Sequence, residues 1–305
     1  MGGRVVLFTA QDIGFQLIER LARYPGIDLI VITYRTERDE ANGHRSPIDA
    51  CRNLGVRCIE ATKVSPEVHH ELAEFSPDII LGAYYSNIIP EAVLDMARVG
   101  AYNIHPGILP FYRGKYPTPW YILNGAPEFG MAIHEMRGGV DAGRVLVQRT
   151  YPMPQDITGA GLLKLTMDVG TDLLAENIGN LLRGELTPKP QAGVGSYYSS
   201  IDRRWQIDWN LSVEQIERRI RVHAKPYLPA FTYLLGRAVY INRATPISVD
   251  GYTAQGGGAI LDVMADSRFV VTCANGCLMV EECDIYPALS DAERQIYLRL
   301  GNRFE

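Results

Sequence analysis

The sequence predicts an α/β protein: a Rossmann-like, mostly parallel sheet in an N-terminal domain, followed by a smaller β-rich unit. Three observations predict it. Apolar, β-branched runs alternate with amphipathic helical stretches from Arg4 to Ala83, the pattern of successive βαβ units. One long helical pattern, Gly159 to Leu186, ends in the Pro-, Gly- and Ser-rich run TPKPQAGVGSYYSS at 187–200. Beyond it, short strand-like segments follow one another with little helix between them.

In chain order, Arg4 to Ala10 reads as a first buried strand, and Gln11 to Arg23 as a helix with Leu17, Ile18 and Leu21 on its inner face. Asp28 to Tyr34 is a second strand. The charged stretch Arg35 to Arg45 (RTERDEANGHR) is a loop. Helices at Pro47–Leu54 and Pro66–Phe75 alternate with strands at Val56–Ile59 and Asp78–Ala83. No GxGxxG opens the first helix, so the dinucleotide fingerprint is missing. Tyr84 to Pro90 leaves the fourth strand where ligands of open α/β sheets bind. The broad leucine-rich stripe of the long helix indicates packing. In the second unit, Ser212 to Val222 is a helix burying Val213, Ile216 and Ile220. Strands are expected near Val239 and Ile247 and through 259–264, 268–273 and 277–282, and Ser290 caps a last helix.

The chain has 305 residues and a formal net charge of -5. Its length suits one large and one smaller domain. Mild acidity argues against a broad basic footprint for a large nucleic acid. No run of about 18 apolar residues occurs, so no membrane span is expected. The N-terminus starts a strand directly, and five scattered cysteines fit reduced thiols in a cytoplasmic protein. Cys273, Cys277 and Cys283 lack zinc-ligand spacing and read as small core residues. No metal site is expected.

The most informative stretch is GAYNIHPGILPFYRGKYPTPWYILNG, Gly100 to Gly125. Pro106 ends a short strand there. By alternation, Asn103 and His105 fall on one side of it. An isolated NxH is more often a satisfied structural histidine, and an Asp in a turn such as GGVDAG is usually only a turn former. Asn103, His105 and Asp141 at neighbouring strand ends are nevertheless the parts needed to move a proton and hold an oxyanion.

NIHPGILPFYRG, then Leu123-Asn124-Gly125 and GGVDAG, resembles the N10-formyltetrahydrofolate-dependent formyltransferases, whose NxHxxxLPxYRG motif is matched in full. The resemblance runs over most of the chain, strongest from Asp78 to Gln148. It implies a catalytic domain at residues 1–190, a linker at 191–204 and a small, open β-barrel-like C-terminal domain at 205–305. It implies N10-formyltetrahydrofolate as formyl donor, held by Asn87, Ile88 and Ile89 after the fourth strand, by Gly138, Gly139 and Val140 in the later turn, and by Lys115. Arg113 is expected to bond within the YRG turn. In the reaction implied, an amine attacks the formyl carbon, Asn103 donates to the oxyanion, His105 handles protons, and Asp141 orients His105 and raises its pKa.

Members of this family formylate either methionyl-tRNA or amino sugars on nucleotide carriers. The acidic residues Glu37, Asp39 and Glu40, with the WYILNG and HEMRGGVDAG wording, favour the 4-amino group of a nucleotide-linked sugar. A basic face from Arg218 to Lys225 is the counter-evidence, suited to tRNA or to a sugar nucleotide's diphosphate, or is an ordinary solvated helix face. A hydrolase releasing formate from the same folate shares the Asn-His-Asp set but has a further regulatory domain. The sequence leaves open the oligomeric state and the identity of the sugar.

Overall fold

The computed structural model describes residues 2–35, 45–249 and 256–305. The acidic part of the loop expected at 35–45, including Glu37, Asp39 and Glu40, lies outside the described residues. The chain divides into two compact units: residues 1–118, 127–153 and 163–200 form one, and residues 119–126, 154–162 and 201–305 the other.

The first unit is built on a seven-stranded sheet of order β3-β2-β1-β4-β5-β7-β8. These strands are β1 (Gly3–Thr9), β2 (Ile27–Thr33), β3 (Arg57–Glu60), β4 (Ile79–Ala83), β5 (Gly100–His105), β7 (Glu128–Glu135) and β8 (Val145–Pro152). The first five run parallel, as the alternating pattern predicts, while β7 and β8 are antiparallel to their neighbours. Strand β1 is central, with Val5, Val6, Leu7 and Phe8 fully buried because both faces are covered. On one face, Val5 and Leu7 pack with Leu17, Ile18 and Leu21 of α1 (Gln11–Ala22) and with Leu173 and Leu174 of the long helix at Gly159–Arg183. On the other, Val6 and Phe8 meet Leu72 of the helix at Pro66–Phe75 and Val93 of the short one at Glu91–Leu94. Ser46 and Ser65 cap the helices that begin at Pro47 and Pro66, each accepting from the backbone N–H three residues on. Strand order reverses between β1 and β4, and β5 lies one strand further, so its carboxyl end opens on the binding edge of the sheet.

A two-residue strand, β6 (Arg113–Gly114), pairs in parallel with β9 (Tyr197–Tyr198). The run at 187–200 that composition marks as a linker candidate is thus bonded to this unit. Its prolines and glycines bar regular structure, but Lys189 still forms a bridge with Val145.

The second unit carries a five-stranded antiparallel sheet, β10-β11-β14-β13-β12, over Ala230–Leu234, Arg237–Ile247, Cys277–Tyr286, Phe269–Thr272 and Ile260–Val263. The chain end bridges both edges of this sheet: Phe304 pairs with Leu234 on β10, and Arg303 with Ala259 beside β12. The C-terminal unit is thus an antiparallel sheet whose two edge strands are both flanked by the chain end. The helix Val213–Val222 opens with a capping box between Ser212 and Gln215 and buries Val213, Ile216 and Ile220. Cys273 and Cys277 are buried in the sheet, and burial pushes the Cys273 thiol up to about 12.

Candidate functional site

Asn103 and His105 stand at the end of β5, and Asp141 sits in the turn after β7. The structure brings all three together. His105 Nδ1 lies 3.5 Å and Asn103 Nδ2 3.4 Å from Asp141 Oδ1. The other carboxylate oxygen, Oδ2, accepts the Gly114 backbone N–H at 2.8 Å. Asp141 adopts φ +49°, so the expected turn former is also a residue held in the left-handed region.

A fourth member joins them, and no local sequence signal marks it. His134, 2 % exposed, lies directly across the β5–β7 ladder from Asn103. Its Nε2 is 3.3 Å from both Asn103 Nδ2 and Asp141 Oδ1. The register was the missing signal: alternation within each strand is visible in sequence, but which residues oppose one another across an antiparallel pair is not.

Hydrogen positions follow from the partners. His105 Nε2 is 2.7 Å from the Tyr112 carbonyl and His134 Nδ1 2.8 Å from that of Glu135; a carbonyl only accepts, so both nitrogens carry protons. The Asn103 Nδ2 group is thus set between His134 Nε2 and the Asp141 carboxylate. Turning that amide over would set its oxygen against the Asp141 carboxylate.

His105 and Asp141 are 4 % and 9 % exposed. Burial pushes the His105 pKa down, and this outweighs the upward pull of Asp141; the charge of His134 adds to the fall, and the Tyr112 carbonyl opposes it. Asp141 itself acts in the expected direction. Its own pull is upward, but the net direction is down, because little solvent is left to support an imidazolium. For Asp141, burial pushes upward, but the charges of His105 and His134 and the Gly114 N–H outweigh it and hold the carboxyl down to about 2.

Glycines make the room. A Cβ on Gly107 would lie 2.6 Å from His105 Nε2, and at Gly114, where φ is +96°, one would run into the Tyr198 carbonyl oxygen. The backbone can close over the imidazole and approach β9 only without side chains there.

The other expected site residues lie around this centre in less enclosed places. Asn87 and Ile88 are exposed, with Ile88 at 87 %, whereas the Ile89 side chain is buried in the core with Phe8 and Val93 and offers only its backbone. Gly138, Gly139 and Val140 form an exposed turn with positive φ at both glycines. Lys115 is exposed, its Nζ 5.5 Å from the centre of the Tyr116 ring. Arg113 is a structural bonder, but its partners lie outside the YRG turn where they were expected: Nε and Nη2 go to Gln191 Oε1 and Nη1 to the Tyr197 hydroxyl, because the 187–200 run folds back beside it. Among the described residues, no group of three His, Cys, Asp or Glu is arranged to hold a metal ion. No helix there is long and apolar enough to cross a membrane.

A buried carboxylate, two imidazoles and a carboxamide at a strand end can hold an oxyanion and carry a proton without a covalent intermediate. Comparison with known proteins gives that chemistry a context. Residues 5–178 match the family model described as "Formyl transferase", and residues 202–286 that described as "Formyl transferase, C-terminal domain". The chain is 30 % identical over 286 residues to a methionyl-tRNA formyltransferase of Nitrosomonas europaea, covering 91 % of this chain and 87 % of that one. In fold it is similar to an N-formyltransferase from Helicobacter canadensis solved with folinic acid and dTDP-3-aminofucose (TM-score 0.70, 17 % identity, 92 % and 99 % of the two chains). It is also similar to WlaRD, a sugar 3N-formyl transferase solved in the presence of dTDP and 5-N-formyl-THF (TM-score 0.68, 15 % identity, 94 % and 98 %).

Proposed function

Because the chain belongs to the formyl transferase family, and is an enzyme of that kind, we propose that it moves a formyl group from N10-formyltetrahydrofolate to the 4-amino group of a nucleotide-linked amino sugar. The observation that carries the transfer is the convergence of Asn103, His105 and Asp141 on one buried spot at the carboxyl end of β5. The amine attacks the formyl carbon, the bond from that carbon to N10 breaks, and the proton the amine loses ends on N10. Asn103 exchanges one of its long N–H contacts for the oxyanion of the tetrahedral intermediate, a role that is worth about 3 kcal/mol. His105, kept neutral by burial, takes the proton, and Asp141 steadies the imidazolium while it lasts. The folate is held along Asn87, Ile88, Ile89, Lys115 and the Gly138–Val140 turn.

The basic helix supports the sugar acceptor. Arg221 is tied to Glu217 at 2.6 Å and to the Ile157 carbonyl, Arg219 lies over the Trp205 ring, and Lys225 pairs with Asp284 at 2.9 Å. Cations engaged by their own chain make a poor phosphate track. The name carried by the Nitrosomonas relative favours a second acceptor, methionyl-tRNA.

Donor consumption, followed with nucleotide-linked 4-amino and 3-amino sugars, with methionyl-tRNA and with no acceptor, tests this reading. Turnover confined to the 4-amino sugars is expected. Turnover on methionyl-tRNA alone would overturn the acceptor, and rapid formate release without acceptor would replace transfer by hydrolysis.

A further inference from the structure

One side chain outside the motif holds the Asp141 turn. Gln191, half-buried in the 187–200 run, uses its whole carboxamide. Its Nε2 donates to the carbonyls of Asp141 at 2.8 Å and Gly143 at 2.6 Å, on either side of Ala142. Its Oε1 accepts Arg113 Nε at 3.0 Å and Nη2 at 2.6 Å. Arg113 neighbours Gly114, whose N–H holds Asp141 Oδ2. Gln191 thus links both sides of the carboxylate: the turn that carries it and the strand that donates to it.

We propose that Gln191 is a positioning residue for formyl transfer, clamping the left-handed turn so that the Asp141 carboxylate faces His105, His134 and Asn103. The inference rests on the catalytic reading of Asp141. An aspartate at φ +49° leaves that conformation when its carbonyl loses its donor, and the carboxylate swings with it. A methionine keeps the length and bulk of Gln191 but none of its four hydrogen bonds. A glutamate keeps the acceptor for Arg113 but loses both donors.

The test measures steady-state kinetics of Gln191→Met, Gln191→Glu, Asp141→Asn and the double variant Gln191→Met/Asp141→Asn. Gln191→Met should lower kcat about tenfold or more, with little change in either KM, since misplacement of a reacting group acts on turnover. If Gln191 acts through Asp141, the double variant is no slower than Asp141→Asn alone; a merely structural role would add its own loss. The acid limb of kcat should also move to lower pH in Gln191→Met. The groups facing His105 are Asp141, His134 and the Tyr112 carbonyl, and displacing Asp141 removes an upward pull. Should Gln191→Met not fold, Gln191→Glu carries the kcat comparison, with the same loss expected. Wild-type kcat in the Gln191 variants beside an inactive Asp141→Asn would overturn the positioning role alone. Wild-type kcat in Asp141→Asn would overturn the catalytic reading beneath it.

Discussion

Gly107→Ala should disable the enzyme through a single methyl group. The new Cβ would sit 2.6 Å from both Cδ2 and Nε2 of His105 and 3.0 Å from the Tyr112 carbonyl oxygen. Carbon contacts are comfortable at about 3.5 Å, so ring and methyl must separate by about 0.9 Å. The ring is 4 % exposed and its Nε2 is held at 2.7 Å by the same carbonyl, so it cannot yield by turning into solvent. Overpacking of this kind costs about 1–3 kcal/mol of stability. A misplacement of about 1 Å in a catalytic group costs about 100-fold in rate, or about 2.7 kcal/mol of barrier. The assay is kcat for donor consumption at saturating folate and acceptor, beside a thermal melt. The expected result is a kcat about 100-fold lower, a melt only a few degrees lower, and a KM for folate near the wild-type value. A kcat within about threefold of wild type, in a folded protein, would show that the position of His105 does not govern the chemistry.

Asn103→Ala should lower kcat by about 100- to 1,000-fold at nearly unchanged stability; a loss under about tenfold, read in the same assay, would remove the oxyanion role. Lys115→Ala, an exposed change, should raise the KM for folate with kcat held; an unchanged KM would take Lys115 out of the donor site. The pH dependence follows in sign from both shifts. His105 and Asp141 each have a folded pKa below the unfolded one, so the unfolded chain binds more protons in both intervals and stability rises with pH there. Acidification should therefore cost stability first as pH falls below about 6.5, through His105, and again from about 4 towards 2, through Asp141. Denaturant titrations across pH check this, and Asp141→Asn should flatten the lower interval. With neutral His105 as the working form, the acid limb of kcat should lie below pH 6.5.

Much of this site could be read from local sequence. Asn103 and His105 are related by strand alternation, and Asp141 follows a Gly-Gly turn at a fixed distance, so both signals lie within a few residues. The parallel core was equally open, because Val5 to Phe8 and Ile79 to Leu81 are continuous apolar runs of the kind buried on both faces. His134 was not, because its role depends on ladder register. Gln191 was not, because it sits 78 residues from Arg113 and 50 from Asp141 in a segment whose composition says only that it is irregular. Strands of two residues, such as β6 and β9, carry no periodicity at all. The net direction of the His105 shift is out of reach of the sequence for a related reason. The neighbouring carboxylate is visible in sequence, whereas the depth of burial that overrides it belongs to the folded chain.

The pairing of β6 with β9 bears on how such enzymes can be recombined. The stretch that matches the N-terminal family model stops at residue 178, yet Lys189, Gln191, Ser196 and Tyr197 bind back onto Val145, Asp141, Tyr112 and Arg113. A chimera joined at residue 178 would inherit the sheet and the motif while taking the strap across them from the wrong parent. A crossover just after Ser200 keeps strap and motif of one origin. That crossover point lies some twenty residues beyond the end of the recognisable catalytic sequence.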